Sequence, residues 1–240
     1  MFKCLVHLQE IKVSEFKILK EIVAVRYEDE TIKLTQLHTL TLEDLPQLDG
    51  FCSPINEDSA EILLVDEFED FFGKKIQFPN LVVLKLSSIN VEKIWYNHNL
   101  EFCSFDKLTT FIVEGCGNLA FVLTSSMVKS LPQLKEFEIC DCKSMEEVIR
   151  TEGNTEEMIF PKLNLLKLKG LPKVTNFCRR NLIQCPSMVD LTIENCHHLQ
   201  IFLSTSNEDG QPHDSSTTLF DEKVDFPKLK YLTLIDAKKW

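Results

Sequence analysis

Two short cysteine-containing segments carry residue types that often bind metals or attack substrates. Cys196 is followed directly by His197 and His198, and Cys140 lies two residues before Cys142. Thiolates and imidazoles are common zinc ligands, and a thiolate beside a histidine base can act as a nucleophile. These segments therefore raise two hypotheses, a zinc site and a cysteine-dependent enzyme.

The spacing of these residues argues against both kinds of chemistry. A structural zinc site pairs two closely spaced cysteines with a second pair of ligands, and no second pair stands at matching spacing. A catalytic histidine also needs a third group that orients it, and no pattern indicates one. Cys116, Cys142 and Cys196 instead share one position of a repeated pattern, which favours a packing role. We therefore predict no enzymatic activity, no metal and no cofactor, with His197 and His198 exposed on a turn.

The repeated pattern consists of a large apolar residue followed by apolar residues three and five positions later. Leu81, Leu84 and Leu86 form one clear copy. This L-x-x-L-x-L pattern is typical of the strand segment of a leucine-rich repeat. Longer intervals between copies indicate insertions near residues 51–77 and 204–225. Eight copies are present, and they begin near residues 5, 34, 78, 105, 131, 160, 185 and 226.

Stacked copies predict one α/β domain over residues 1–240, a curved leucine-rich-repeat solenoid. Each copy supplies a short strand whose alternate side chains point inwards, so that neighbouring strands form a parallel sheet on the concave face. Loops and short helices are predicted on the convex face, with one helix within residues 125–131. Leu45-Pro46 and Leu171-Pro172 predict turns, because proline cannot donate a strand hydrogen bond.

A longer period overlies the short one. Residues 42–52 match residues 168–178 at an offset of 126 residues, which indicates growth by duplication of blocks. The first insertion is acidic but also contains apolar residues, so part of it is predicted to pack into the core. These residues are Ile62, Leu63, Leu64, Val65, Phe68, Phe71 and Phe72. The second insertion is polar and is predicted to be a surface loop.

The composition limits the classes of partner and the compartment. The 240 residues are 44% hydrophobic and carry a formal net charge of −11, which disfavours nucleic acid and anionic membranes as partners. No apolar run approaches the roughly 20 residues of a membrane span, and the first residues lack the apolar core of a signal peptide. The nine cysteines are an odd number and lie mostly within apolar patterns. We therefore predict a cytoplasmic protein with free thiols.

Four segments resemble the C-terminal leucine-rich repeats of plant coiled-coil, nucleotide-binding, leucine-rich-repeat disease-resistance proteins. The resemblance implies an intracellular innate-immune receptor. Its repeats would bind a pathogen effector, a guarded host protein or the nucleotide-binding domain of the parent receptor, and would help to hold that receptor inactive. The segments are FPNLVVLKLSSINVEKIW (78–95), CDCKSMEEVI (140–149), FPKLNLLKLKGLPKV (160–174) and LFDEKVDFPKLKYLTL (219–234).

The chain departs from that family in one respect. It has no G-x-x-x-x-G-K-[ST] phosphate-binding loop, so we expect a fragment or truncated product without a nucleotide-binding domain. Two alternatives remain open at this point. One is a generic adaptor, such as the repeat region of a ubiquitin-ligase substrate receptor. The other is a non-functional truncated product that does not fold stably alone.

Strand alternation predicts which side chains form a protein-binding surface on the concave face. The apolar members Val83, Ile112, Leu165 and Tyr231 are predicted to be exposed and are typical of interface anchors, unless other parts of the protein cover them. Two neighbouring rows are predicted on this face. One row is Lys12, Thr41, Lys85, Ile112, Glu138, Lys167, Thr192 and Thr233, and the other is Glu10, Thr39, Val83, Thr110, Glu136, Leu165, Asp190 and Tyr231.

Overall fold

A computed structural model describes most of the repeat array. Much of the two predicted insertions lies outside the described residues, including the acidic segment 57–70 and the polar segment 204–218. The described residues are 7–26, 31–55, 71–72, 76–95, 105–152, 158–178, 183–200, 219–220 and 226–235.

Short strands dominate the described residues, which contain seventeen strands and one helix. The helix, α1, spans Ser125–Val128. The strands are, in chain order, β1 (Glu10–Ser14), β2 (Glu21–Arg26), β3 (Ile32–Lys33), β4 (Thr39–Leu45), β5 (Gly50–Ile55), β6 (Ile76–Gln77), β7 (Val83–Ile89), β8 (Thr110–Glu114), β9 (Leu123–Thr124), β10 (Glu136–Cys140), β11 (Glu147–Arg150), β12 (Met158–Ile159), β13 (Leu165–Lys169), β14 (Asn176–Cys178), β15 (Ile183–Gln184), β16 (Asp190–Glu194) and β17 (Tyr231–Ile235).

One parallel sheet of eight strands runs along the solenoid in the order β1-β4-β7-β8-β10-β13-β16-β17. The second and fourth positions of its inner strands point inwards, whereas Leu232 and Leu234 of β17 are 48% and 43% exposed. Leu84 and Leu86 of β7 are fully buried, and Leu166 and Leu168 of β13 are buried in the same way. Burial of this apolar set on one side is the main stabilisation of the strands, because a slip by one residue would expose it. The predicted parallel sheet is therefore confirmed.

The prediction of loops and short helices outside the eight-stranded sheet is confirmed only in part. Within the described residues α1 is the only helix, and it has four residues inside the predicted segment 125–131. The other elements outside the eight-stranded sheet are short parallel strands, grouped as β14-β11-β9, β12-β15, β2-β5 and β3-β6. Short strands on neighbouring copies can stack at the same spacing of about 4.8 Å as the main sheet, whereas side-by-side helices need about 8–10 Å, so a strand fits the repeat distance of the main sheet more easily than a helix does. The α/β class is thus corrected to a parallel β-solenoid with almost no helix.

The helix content also bears on membranes. Among the residues that the structure describes, no helix is long and apolar enough to cross a bilayer.

The predicted duplication is visible in the strand pairing. Glu21 of β2 pairs with Gly50 of β5, and Glu147 of β11 pairs with Asn176 of β14. Both members of the second pair follow those of the first by 126 residues. The turns predicted at Leu45-Pro46 and Leu171-Pro172 are also present, and each closes with a hydrogen bond from the third following N–H to the leucine carbonyl, at 3.2 and 3.4 Å.

Residues in the left-handed conformation follow the strand core at one repeated position. Gly170 is one of them, with φ of 62°, and its N–H donates to the Glu194 carbonyl at 2.8 Å. A Cβ on Gly170 would crowd Oδ1 of the Asp141 side chain, and glycine adopts this left-handed φ more readily than other residues. The sequence analysis missed this column, which comprises Glu15, Asp44, Ser88, Gly115, Asp141, Gly170 and Asn195.

An aromatic cluster anchors the end of the first insertion in the core. Phe72 is fully buried, and its ring centroid lies 5.6 Å from that of Phe78 and 5.5 Å from that of Trp95. Phe71 is 2% exposed and packs edge-on against Phe72 at 5.0 Å. Trp95 Nε1 donates to the Val122 carbonyl at 2.7 Å, which ties the cluster to the next copy. The prediction that part of this insertion packs is confirmed for Phe71 and Phe72, and the other apolar residues on which it rested, within 62–68, lie outside the described residues.

Candidate functional site

The solvent-facing side of the eight-stranded sheet, here called the sheet face, brings the predicted residues together in rows. The first residues of successive strands pair with one another, as Glu136 does with Leu165, and so do the third residues, as Ile112 does with Glu138. We call these the first row and the second row, and they contain the two sets predicted from the sequence. The fifth residues form a third row that the sequence analysis missed: Ser14, Glu43, Ser87, Glu114, Cys140, Lys169, Glu194 and Ile235.

The four apolar members of the first and second rows differ in exposure. Tyr231 is 62% exposed, as predicted. Val83, Ile112 and Leu165 are only half-buried, although the sequence analysis predicted them to be exposed. Strands lie about 4.8 Å apart, so the neighbouring side chains of the same row cover the flanks of each apolar group. The sheet face therefore offers apolar contact area between polar groups.

Every lysine of the three rows forms an ion pair with a glutamate. Glu43 lies between Lys12 Nζ at 3.0 Å and Lys85 Nζ at 2.9 Å. Hydrogen bonds from Lys85 and then Lys12 lower the pKa of Glu43, and the hydrogen bond to Glu43 raises the pKa of Lys85. Lys167 pairs with Glu138 at 3.4 Å, and Lys169 pairs with Glu194 at 3.0 Å. These pairs are partly exposed, so each contributes only about 0.2–1 kcal/mol to stability, but they fix the side chains in place.

The first row has acidic residues and no basic residue. Glu136 Oε2 accepts a hydrogen bond from the Thr110 hydroxyl at 3.2 Å, and Asp190 Oδ1 accepts one from Thr192 at 3.5 Å. Among the described residues neither carboxylate has a lysine or arginine within ion-pair distance, and the same holds for Glu10. Glu43, Glu138 and Glu194 of the second and third rows are thus neutralised locally, whereas Glu114 of the third row and the carboxylates of the first row have no ion pair among the described residues.

The column of cysteines at one shared repeat position packs in the core, as that position predicted. Cys116, Cys142 and Cys196 are fully buried, and the Cys196 thiol donates to the Glu194 carbonyl at 3.4 Å. The contact with the Cys116 thiol and burial both raise the pKa of Cys142. Burial raises the pKa of Cys196 to about 11 and that of Cys185 to about 12. The raised pKa values keep the thiols of Cys142, Cys185 and Cys196 protonated at neutral pH, which disfavours nucleophilic attack by them.

The two histidines after Cys196 are exposed on a turn, as predicted. Nδ1 of His198 lies 2.7 Å from the Pro172 carbonyl oxygen, a contact with the neighbouring copy. In the described part of the chain, no three histidine, cysteine, aspartate or glutamate side chains lie together in a way that would hold a metal ion.

The repeated strand register, the inward leucine columns and the buried cysteine column define a leucine-rich-repeat solenoid. Residues 80–210 match the family model described as "Plant disease resistance protein RPS2-like, leucine-rich repeats", and this segment is more than half of the chain. The chain therefore belongs to this family of plant disease-resistance leucine-rich repeats, and the resemblance drawn from its motifs is confirmed.

A curated relative supports the same family. The chain is 29% identical over 128 residues to the probable disease resistance protein At4g27220 of Arabidopsis thaliana. The match covers 51% of this chain and 14% of that protein, so the chain corresponds to a small part of the relative's length. No solved structure matches the chain.

Proposed function

We propose that this chain is an intracellular protein-binding module of a plant disease-resistance protein and that it binds its partner through the sheet face. The partner is a pathogen effector, a guarded host protein or the nucleotide-binding domain of a parent receptor. The observation that carries the proposal is the sheet face itself. Three rows of side chains run in register across eight strands, with apolar anchors among fixed charges.

Three properties of the sheet face support protein binding. It is about 34 Å long, because seven strand steps of about 4.8 Å separate β1 from β17. It combines apolar groups such as Leu165 and Tyr231 with polar neighbours, a mixture typical of the centre of protein interfaces. Its ion pairs hold the lysines and glutamates in one arrangement, which lowers the entropy lost when a partner binds.

A capture experiment with matched variants tests the proposal. The tagged chain is incubated with leaf extract, and bound proteins are quantified for the wild type and for Ile112→Thr, Leu165→Thr and Tyr231→Thr combined. Threonine already occupies Thr41, Thr192 and Thr233 of the second row, so the strand geometry tolerates it. We expect the specific partner to fall by about tenfold or more, because the apolar anchors are removed together.

The control variant combines Gln47→Thr, Ile159→Thr and Gln200→Thr, three exposed positions outside the eight-stranded sheet. Circular dichroism checks that both variants keep the strand content of the wild type. Equal recovery of every partner by the sheet-face variant and the wild type would contradict the proposal, as would an equal loss in the control.

A further inference from the structure

Four side chains of the first row form an alternating acidic and apolar strip at the β17 end of the sheet face. In register, Glu136 pairs with Leu165, Leu165 with Asp190, and Asp190 with Tyr231. Glu136 and Tyr231 are exposed, and Leu165 and Asp190 are half-buried. We call this set the acidic–apolar strip. Acid, apolar, acid and aromatic groups therefore follow one another on consecutive strands.

The strip differs from its surroundings in its charge balance. Lys167 and Lys169 lie on β13 beside the strip, but Lys167 is held by Glu138 and Lys169 by Glu194. Among the described residues, the carboxylates of Glu136 and Asp190 accept hydrogen bonds from the hydroxyls of Thr110 and Thr192. The lysines beside the strip are therefore already paired with other glutamates. Among the described residues, the carboxylates of Glu136 and Asp190 have no cation within ion-pair distance. A partner with basic groups would complement the strip in charge.

The spacing of the side chains in the strip indicates which secondary structure the bound segment of that partner has. Glu136 and Asp190 are two strand steps apart, about 9.6 Å, and the two apolar groups have the same separation. In an α-helix, residues i and i+7 lie on one face about 10.5 Å apart, with residue i+3 or i+4 between them. In an extended peptide, successive side chains on one face are about 6.8 Å apart. This distance does not match the separation of about 9.6 Å between the two acidic groups or between the two apolar groups.

We propose that the acidic–apolar strip binds a basic amphipathic helix of a partner protein, laid across the strands. Lysine or arginine at i and i+7 of the helix meets Glu136 and Asp190. Apolar residues at i+4 and i+11 meet Leu165 and Tyr231. This inference rests on the proposed function, because it assigns a partner class to part of the same sheet face.

Synthetic peptides test the inference directly on the full chain. The probe is an alanine-rich helical peptide with lysine at i and i+7 and leucine at i+4 and i+11. One comparison peptide has glutamate in place of lysine, and another has the same composition in an order without helical periodicity. Binding is measured by fluorescence anisotropy at physiological ionic strength, because low salt would exaggerate attraction to a chain of net charge −11.

Matched protein variants separate the strip from general attraction. The strip variant is Glu136→Gln with Asp190→Asn, and the control is Asp49→Asn with Glu146→Gln, two exposed carboxylates outside the eight-stranded sheet. We expect the strip variant to bind the lysine peptide about five- to tenfold more weakly, the loss anticipated for two partly exposed ion pairs. The control is expected to bind within about twofold of the wild type.

Several results would overturn the inference. These are no binding of the lysine peptide by the wild type, equal binding of the glutamate or the reordered peptide, or an equal loss of affinity in the control. The strip variant also distinguishes this inference from the proposed function. If the lysine peptide fails to bind but the sheet-face threonine variant still loses its captured protein, the helix assignment is wrong and the binding face stands.

Discussion

Replacing Phe72 with alanine is expected to lower the free energy of unfolding by about 3–5 kcal/mol. Phe72 is fully buried, and its ring contacts five others, those of Phe51, Phe71, Phe78, Trp95 and Phe105, at centroid distances of 6.0, 5.0, 5.6, 5.5 and 6.1 Å. These rings come from three successive copies of the repeat, so the cavity cannot close without moving several strands. The free energy of unfolding therefore falls for three reasons: the hydrophobic transfer free energy of the ring is lost, its aromatic contacts are lost, and a cavity remains.

Urea unfolding followed by circular dichroism measures this effect. Phe16→Ala is the matched control, because Phe16 is 57% exposed, and it is expected to change the free energy of unfolding by less than about 0.5 kcal/mol. A cost below about 1 kcal/mol for Phe72→Ala would show that the end of the first insertion is not part of the core.

The second large effect concerns two adjacent residues of β13. Leu166→Asn is expected to cost about 4 kcal/mol or more, because the side chain is fully buried and the amide would find no partner among the leucine columns. Lys167→Asn on the sheet face is expected to cost less than about 1 kcal/mol, since it removes only the 3.4 Å ion pair with Glu138. Both variants are measured by urea unfolding.

This pair of substitutions tests the inward and outward alternation on which the sheet face depends. Equal costs for the two variants would mean that β13 does not have one buried and one open side. A larger cost for Lys167→Asn would reverse the register and remove the basis for the first and second rows.

The rows were predictable because the apolar residues at +3 and +5 fix which strand positions are buried. Once Leu84 and Leu86 point inwards, Val83 and Lys85 point outwards, and equivalent positions of stacked copies must align. The third row follows from the same period of two and could have been found by extending the strands by one pair. The family was also predictable, because its motifs are short sequence segments that can be recognised without knowing the fold.

Other features depend on interactions that the pattern does not encode. The opposite side of the solenoid forms strands such as Glu147–Arg150 because copies stack at strand spacing, which is a property of the whole array. Gly115, Gly170 and Asn195 are residue types that commonly adopt positive φ and could have indicated the left-handed column. Glu15 and Ser88 rarely adopt positive φ, so their sequence gives no such indication. The division of charge between rows depends on which glutamate each lysine reaches, and Glu43 takes two lysines while Glu136 takes none.

The central claim is that partner proteins bind the sheet face, and hydroxyl-radical footprinting of the chain with its captured partner tests it most directly. This method reports the solvent access of single side chains. Tyr231, 62% exposed, and Leu165 should lose reactivity in the complex, while Ile159, 46% exposed on β12, and Ile18, 83% exposed, should keep theirs. Protection of Ile159 or Ile18 with Tyr231 and Leu165 unchanged would contradict the account.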